Sequence, residues 1–291
     1  MESGLRTAEN VDEYGSIEQE PVDGSDVGDS WPEKGELRVS KYVADYGPGL
    51  PDTLREITFT IQPGERVGVV GRTGAGKSTL ALSFARLIEK RGGIIAIDSV
   101  DILHIRLEVL RKRILTIPQD PHLFGGSLRD VLDPDGAYSD DVLITALQRY
   151  RFVSTETEKK SDAVDYDLSF MVSDGGANLS QGQRQILCLV NAILSRKKVV
   201  IMDEATSAVD MDTDAAIQSA IREGLRDSRV MVIAHRLATV AHLDRVLVMQ
   251  NGKVVEFGKP SDLYQQKGKF WALVNHSIDK EKLVKNFADG K

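Results

Sequence analysis

One segment of the sequence has the residue types and spacing to hold a triphosphate. Residues 71–78 read GRTGAGKS and fit the pattern G-x-x-x-x-G-K-[ST]. Glycines let backbone N–H groups turn toward phosphate, a following helix adds its positive end, a lysine reaches the β- and γ-phosphates, and a serine hydroxyl holds Mg²⁺. By average residue usage the pattern arises by chance in roughly one chain of this length in a hundred. The predicted phosphate-binding residues are Gly71, Arg72, Thr73, Gly74, Ala75, Gly76, Lys77, Ser78 and Thr79.

Polar residues also follow three other apolar runs. Asp203 ends the run VVIMD, and Glu204 follows it. Asp203 could complete the Mg²⁺ coordination, and Glu204 could polarise an attacking water as a general base. The alternative, that this pair opens a solvated loop or caps the next helix, becomes minor beside the phosphate loop. Gln119 and His235 follow two further runs, and either one alone is more typical of an ordinary polar strand terminus. Because ligands bind at the carboxyl edge of open α/β sheets, the four residues together favour a site there.

The segment LSQGQ, residues 179–183, begins an amphipathic stretch. Ser180 and Gly182 at a helix start could form a second anion site, because the first backbone N–H groups of a helix lack partners. Taken alone, the segment favours the simpler interpretation of an ordinary N-cap beside a permissive glycine. The apolar residues that predict the helix lie at i, i+3, i+4, i+7 and i+8 and are Ile186, Leu189, Val190, Ile193 and Leu194.

The remaining pattern predicts the elements that must position these residues. ELRVSKYVADY and LREITFTI alternate as antiparallel strands do, and GERVGVVG, KVVIMDE and RVMVIAH are typical of buried parallel strands. A helix is predicted after the glycine-rich loop, with Leu80, Phe84 and Leu87 on one stripe, and another across residues 213–226. DRVLVMQNGKVVEFG predicts a hairpin with an Asn-Gly turn.

Three weaker patterns complete this prediction. A further pair of strands is expected at residues 93–97 and 115–118. PSDLYQQKGKFWALV predicts one helix that Ser261 or Asp262 would cap. Residues from 279 onward are charged and are expected to be frayed.

Composition limits the class of protein. The chain has 291 residues and a single cysteine, Cys188, which excludes an internal disulfide framework and a multi-cysteine zinc site. No run approaches the roughly 18–20 apolar residues of a membrane-spanning helix. Residues 1–36, the N-terminal arm, hold 11 acidic and 2 basic side chains, which is more negative charge than the net −7 of the chain. The rest is nearly neutral, which argues against a basic nucleic-acid surface, and the arm is predicted to be a disordered linker.

The ordered motifs resemble those of the nucleotide-binding domain of ABC transporters. GRTGAGKS, Gln119, LSQGQ, VVIMDE, SAVD and His235 are similar to that family's Walker A, Q-loop, signature, Walker B, D-loop and H-loop motifs, over about residues 36–276. Within the family, VGVVGRTGAGKST, IPQDPHLF, LSQGQRQILCL and DEATSAVD resemble the second nucleotide-binding domain of the C subfamily, the multidrug-resistance-associated (MRP-like) exporters. The resemblance implies an α/β fold, a P-loop NTPase of ABC ATPase type, whose mixed sheet core carries an antiparallel β subdomain and an α-helical subdomain.

The resemblance also implies a role for each matching residue. Tyr46 would stack on adenine, Gln119 would sense Mg²⁺ and the attacking water, and Asp210 would act across a dimer interface. The implied catalytic residues are Glu204 as general base, His235 at the γ-phosphate, Gln119 and Lys77. The implied Mg²⁺ ligands are Ser78, Gln119 and Asp203. The signature residues, which would bind ATP held by a second such domain, are Ser180, Gln181, Gly182 and Gln183.

The implied cofactors are ATP and Mg²⁺. The implied partners are a second nucleotide-binding domain, identical or different, and the transmembrane domains of an exporter, with no nucleic acid. The resemblance places the chain at the cytosolic face of a plasma or vacuolar membrane, or in the cytoplasm if it is expressed alone. The expected organisation is a disordered arm over 1–36, an ATPase domain over 37–276 with a helical subdomain at about 120–195, and a charged tail over 277–291.

Three interpretations of function compete. The first is an ATP-hydrolysing domain that powers export, supported by Glu204 and His235. The second is a truncated, non-hydrolysing protein that binds ATP in a regulatory or vestigial role. It is favoured by three departures from the common family residues, Gln181 for glycine, Asn191 for arginine and Ser99 for glycine. The third, a soluble ABC-type ATPase acting on ribosomes or DNA, usually has tandem domains or a coiled-coil insertion, and this sequence has neither.

Overall fold

Two large sheets and nine α-helices carry the described part of the chain. The computed structural model describes residues 20, 23–150, 152, 167–203, 217–226, 228–234, 236–278 and 280–288. The strands are β1 Leu37–Asp45, β2 Leu54–Ile61, β3 Arg66–Val70, β4 Glu89–Ile97, β5 Val100–Asp101, β6 Ile114–Ile117, β7 Gly126–Ser127, β8 Met171–Val172, β9 Val199–Asp203, β10 Arg229–Ile233, β11 Arg245–Gln250 and β12 Lys253–Gly258.

The helices connect these strands and cover both faces of the larger sheet. They are α1 Lys77–Phe84, α2 Leu107–Arg113, α3 Leu128–Leu132, α4 Asp140–Arg149, α5 Gln181–Leu194, α6 Leu237–Val240, α7 Pro260–Gln265, α8 Lys269–Asn275 and α9 Lys280–Ala288. Ile102–His104 and Asp174–Gly176 form 3₁₀ turns, and Ala220–Gly224 forms a π-helical turn within the helix predicted across residues 213–226. Residues 204–216 lie outside the described part.

The larger sheet has the strand order β12-β11-β3-β10-β9-β6, and its five strands from β11 to β6 run parallel. Alternate side chains of each parallel strand enter two different hydrophobic cores. In β9, for example, Val199 and Ile201 face one core, while Val200 and Met202 face the other. Burial on both faces explains why these strands are continuous apolar runs rather than alternating ones. The predicted parallel strands and the Asn-Gly hairpin β11–β12 are confirmed.

The smaller sheet is antiparallel and has the order β2-β1-β4-β5. It packs its buried side chains into the same core as α1, which joins the two sheets around the helix that follows the glycine-rich loop. The two strands predicted at residues 93–97 and 115–118 both exist, but they lie in different sheets, because β4 pairs with β1 and β6 pairs with β9. Between β6 and β9, the described residues form α3, α4, α5 and the short pair β7–β8.

Three helix predictions are wrong in detail. Leu87 lies beyond the end of α1 and is exposed, because Arg86 with a φ of 53° turns the chain away after Phe84 and Ala85. The C-terminal helix is divided into α7 and α8. Lys259 is the N-cap of α7, which starts with proline at its first position, so neither of the two residues predicted to cap it does so.

The two ends of the described chain are more ordered than the sequence predicts. Trp31 of the N-terminal arm is buried, and its indole N–H donates to the carbonyl of Ile97. Near the other end, α9 is a helix whose Leu283 is buried against neighbouring helices, instead of a frayed tail. Both segments combine many charges with a few apolar side chains, and those few decide the packing. Residues 1–19, 21 and 22 lie outside the described part.

Among the described residues, no helix combines the length and the apolar character that crossing a membrane requires.

Candidate functional site

The glycine-rich loop joins β3 to α1 at the carboxyl edge of the larger sheet. Gly76 is the N-cap of α1 and has a φ of 98°, a conformation that favours glycine. Among the described residues, no side chain caps this helix start. The first N–H groups of an α-helix have no partner within the helix, and they carry its positive end. The loop therefore presents an uncapped helix start, which is the geometry that anion binding needs; the predicted phosphate binding stays a prediction.

The loop is held from behind by the β11–β12 hairpin. Gly252 in the hairpin turn donates its N–H to the carbonyl of Ala75 over 3.1 Å. A Cβ at Gly71 would lie 2.3 Å from the carbonyl oxygen of Met249, so only glycine fits beside β11 at this point. The exposed loop residues are Arg72, Thr73, Gly74 and Ser78, and the buried ones are Ala75, Gly76, Lys77 and Thr79.

Lys77 folds back over the loop that precedes it. Its Nζ donates to the carbonyl of Gly71 over 3.0 Å and to that of Arg72 over 3.4 Å, and the residue is buried. These two hydrogen bonds hold the ammonium group against the loop. A phosphate entering the loop would meet a positive charge that is already in place.

Tyr46 lies at the start of α1. Its hydroxyl shares a 2.9 Å hydrogen bond with Oγ1 of Thr79, while the residue as a whole remains 55% exposed. The preceding residue, Asp45, is buried and accepts from Arg91 and from the N–H of Gly47. The hydrogen bond from Arg91 holds the pKa of the Asp45 carboxyl below its usual value. The chain thus fixes the backbone beside Tyr46 and leaves about half of this residue exposed.

The parallel strands end level with each other beside this loop. Asp203 is the last residue of β9, is half-buried, and pairs in register with Ile233 of β10. Gln119 is exposed, two residues past the end of β6, the neighbour of β9 on its other side. The structure therefore brings Asp203 and Gln119 to the edge that carries the loop. Glu204, Asp210 and His235 lie outside the described residues.

The donors at this edge suit a hard divalent cation. The Ser78 hydroxyl, the Gln119 amide oxygen and the Asp203 carboxylate are all oxygen ligands, the kind that Mg²⁺ prefers. Such sites use one or two carboxylates and complete the coordination with phosphate oxygens and water. The residue types present therefore fit Mg²⁺ bound together with a nucleotide.

The helix start at Ser180 differs from that of α1 because its own side chains close it. Ser180 Oγ accepts from the N–H of Gln183 over 3.2 Å, and Gln183 Oε1 accepts from the N–H of Ser180 over 2.8 Å. This reciprocal pair is a capping box. Gly182 is buried and Gln181 is half-buried in the first turn. The ordinary N-cap that the sequence favours is confirmed, and the predicted role in binding a partner's ATP stays a prediction.

Sequence reasoning missed a set of contacts that ties α5 to Gln119. The Gln119 carbonyl accepts from Nε2 of Gln181 over 3.3 Å and from Nε2 of Gln185 over 3.1 Å. Arg184 donates to the Asp120 carboxylate over 2.6 Å. Gln181 and Gln185 lie one helical turn apart, so an i, i+4 glutamine pair at the head of an amphipathic helix was the available signal.

Two of the departures from the family pattern have visible structural settings. Ser99 has a φ of 66° in the β4–β5 turn, where glycine would carry no Cβ penalty. Asn191 donates from its side-chain amide to the carbonyl of Leu132 over 3.0 Å, which ties α5 to α3. Cys188, also in α5, is half-buried, and desolvation raises the pKa of its thiol to about 12 against a smaller opposing effect of Arg184.

Comparison with known proteins agrees with this geometry. A family model described as "ABC transporter" matches residues 54–207. A pleiotropic ABC efflux transporter of multiple drugs from Candida glabrata is similar at 40% identity over 301 residues, which take in 98% of this chain and 18% of that protein. ATP-binding cassette sub-family C member 2 from Rattus norvegicus is 42% identical over 278 residues, which take in 95% of this chain and 18% of that protein. The ATP-dependent bile acid permease of Saccharomyces cerevisiae is 37% identical over 303 residues, which take in 98% of this chain and 18% of that protein. The chain therefore spans 18% of the length of each of these curated relatives.

Proposed function

The chain belongs to the ABC transporter family and carries its ATP-binding domain, and from this premise we propose that it hydrolyses ATP to power export by a larger, MRP-like membrane protein. One observation carries the proposal: Lys77 and the uncapped start of α1 lie at the same sheet edge as Asp203 and Gln119. The site thus has phosphate binding and metal-ligand oxygens side by side. ATPases of this family combine phosphate binding with metal binding in one site.

Binding of the nucleotide uses the described residues directly. The N–H groups of the loop and of the first turn of α1 receive the phosphates, and Lys77 extends from the carbonyls of Gly71 and Arg72 to the β- and γ-phosphates. Tyr46 stacks its ring on the adenine, which resembles the role of the matching aromatic residue in the family.

Ser78, Gln119 and Asp203 would hold Mg²⁺, which would supply positive charge to offset that of the β- and γ-phosphates. Gln119 has a second connection, because its carbonyl is bonded to α5. A shift of this residue toward a bound nucleotide would therefore pull on the helix that starts at Ser180.

Glu204 is the general base. It follows Asp203 at the end of β9 in the sequence, takes a proton from the attacking water, and so raises the nucleophilicity of that oxygen. His235 follows β10 by two residues and orients the γ-phosphate. Both roles are proposals from the motif match, since Glu204 and His235 lie outside the described residues.

The active unit is a pair of nucleotide-binding domains. Ser180, Gln181, Gly182 and Gln183 of one domain cover the γ-phosphate of ATP held by the other, and Asp210 acts across the interface. In the transporter, this chain is the second nucleotide-binding domain and works at the cytosolic face of a membrane, joined to transmembrane domains. The relatives named for drug efflux and bile acid transport support an export role.

ATPase activity as a function of protein concentration tests the proposal. Specific activity of the purified chain with Mg²⁺ should rise with concentration, because two domains must meet to complete each site. Glu204→Gln should remove turnover and keep ATP binding. ATP binding without turnover at any concentration would instead favour a partner of different sequence or the non-hydrolysing alternative. A mixture with a second, related nucleotide-binding domain then distinguishes these two outcomes, because only the first gains activity.

A further inference from the structure

The described part of the N-terminal arm, residue 20 and residues 23–36, lies along a basic edge of the domain. This edge, here called the α2 edge, consists of Arg106, Arg111 and Arg113 at the N-cap and in the last turn of α2. The three pairs are Glu20 with Arg111, at 2.7 Å to both terminal nitrogens, Asp26 with Arg106, at 2.9 Å to Nε, and Asp29 with Arg113, at 3.5 Å. Isolated surface ion pairs are weak, but here the three arginines of one edge face three carboxylates of one segment.

Backbone contacts fix the register of this docking. Ser25 donates its N–H to the carbonyl of His104 over 2.7 Å, and its own carbonyl accepts from Arg106 over 3.3 Å, as in a parallel strand pair. A Cβ at Gly24 would lie 2.6 Å from the backbone nitrogen of Arg106, so the close approach needs glycine. The arm is therefore seated in one register, which an unspecific attraction between charges would not produce.

Further along the arm, the carboxylate of Asp98 in the turn after β4 anchors the chain. It accepts the N–H groups of Lys34 and Glu36, at 2.9 and 2.8 Å. With the buried ring of Trp31, this anchor holds the C-terminal end of the arm independently of the α2 edge. The ion pairs therefore decide only whether the part before Trp31 is docked.

Arg111 contacts more than the arm. Its Nε donates to the carbonyl of Ala85 over 3.1 Å, at the C-terminal end of α1, the helix that carries Lys77 and Ser78 at its other end. A cation at a helix C-terminus is favourable, because the last carbonyls lack partners within the helix. Glu20 binds both terminal nitrogens of Arg111 and thereby orients the guanidinium toward Ala85.

A cavity of about 630 Å³ is lined by residues of both the arm and the proposed nucleotide site. Its lining includes Glu20 of the arm, Tyr46, and Ser83 and Arg86 near the end of α1. Arg86 donates to the carbonyl of Ile105 over 2.6 Å and so connects the end of α1 to the segment that leads into α2. The arm and the proposed nucleotide site thus line the same cavity.

We propose that the α2 edge is a docking surface for the acidic segment that precedes the domain, and that docking tightens nucleotide binding by fixing Arg111 at the C-terminal end of α1. This inference rests on the nucleotide binding proposed above.

Charge-reversing substitutions in the 291-residue chain test docking of the arm separately from its effect on ATP binding. Docking is read from hydrogen exchange of the Ser25 and Arg106 amides, and ATP affinity from fluorescence titration with a trinitrophenyl-ATP probe. Glu20→Arg should speed the exchange and raise the Kd for ATP about threefold to tenfold. Asp29→Arg is the matched control: it reverses a charge on the same arm, but its partner Arg113 makes the longest of the three contacts, so Kd should stay within about twofold.

The double variant Glu20→Arg/Arg111→Glu gives the decisive result. It restores the ion pair, so slow exchange should return. A glutamate cannot donate to the Ala85 carbonyl, so the Kd should remain raised. The inference is overturned if Glu20→Arg leaves either the exchange or the Kd unchanged, or if the double variant restores full affinity. Failure of the wild-type chain to bind ATP would refute the proposed function instead, while slow exchange would still report a docked arm.

Discussion

The starts of α1 and α5 form an informative comparison. Each follows a short serine- or glycine-containing loop, and each is predicted to meet phosphate. At α1, Gly76 leaves the first turn uncapped, and Lys77 adds a positive charge beside it. At α5, Ser180 and Gln183 satisfy each other's backbone N–H groups.

The start of α1 can accept a phosphate as it is, whereas the capping box at the start of α5 must open first. A phosphate can enter the start of α1 without breaking a hydrogen bond of the helix. A phosphate at Ser180 must compete with the capping box, whose loss costs about 1 kcal/mol. The half-site proposed for the chain's own nucleotide is thus preformed, whereas the half-site proposed for a partner's nucleotide is closed until the partner supplies enough binding energy.

The largest expected effect concerns how tightly α5 is packed. Because burial raises the pKa of Cys188 to about 12, labelling of the native chain by a disulfide reagent at pH 8 should be about a thousandfold slower than that of a free thiol. The urea-unfolded chain is the control and should label at the ordinary rate. Fast labelling of the native chain would mean that α5 opens readily, and the contrast between the two helix starts would be lost.

A second test addresses the preformed half-site. Lys77→Ala should raise the Kd for ATP about a hundredfold, because it removes charge-assisted hydrogen bonds to phosphate. Isothermal titration calorimetry measures the change. Lys253→Ala, at an exposed position on β12, is the matched control and should bind as the wild type does. A change of only a few-fold for Lys77→Ala would mean that the loop binds phosphate through its backbone alone.

The smallest expected effect lies at the closed half-site. Ser180→Ala should lower the free energy of unfolding by about 1 kcal/mol, since it removes the N-cap of α5, and urea unfolding measures this loss. The Kd for ATP of the single chain should stay unchanged. Ser180→Thr keeps a hydroxyl cap and should retain most of the stability. If Ser180→Ala weakened ATP binding without loss of stability, Ser180 would contact the nucleotide of its own chain, and the comparison would fail.

Local patterns explain which predictions from the sequence are confirmed. The glycine-rich loop, the buried parallel strands and the Asn-Gly hairpin depend on residues that are neighbours in the chain, and all three are present. The ordinary cap at Ser180 is also a local feature. Glu204, Asp210 and His235 remain predictions, as do the trans role of the signature residues and the domain boundaries.

Contacts between distant segments explain most of what was missed. The arm reads as a solvated acidic linker, because its composition is polar, and the arginines that bind it lie far along the sequence. Likewise, the sequence shows the glutamine pair of α5 but not its partner, because the carbonyl of Gln119 lies more than 60 residues away along the chain. The division between α7 and α8 was missed for a different reason, because the apolar periodicity continues through the break.

The position of β3 between β10 and β11 has a consequence for synthesis on the ribosome. The strand that carries the glycine-rich loop is made early, but both of its hydrogen-bonded neighbours are made late. The antiparallel sheet of β1, β2, β4 and β5 can form as soon as its own strands emerge. Long-range parallel pairing is slow, so β3 has unpaired edges until β11 leaves the exit tunnel. A nascent chain paused before that point would be a substrate for chaperones.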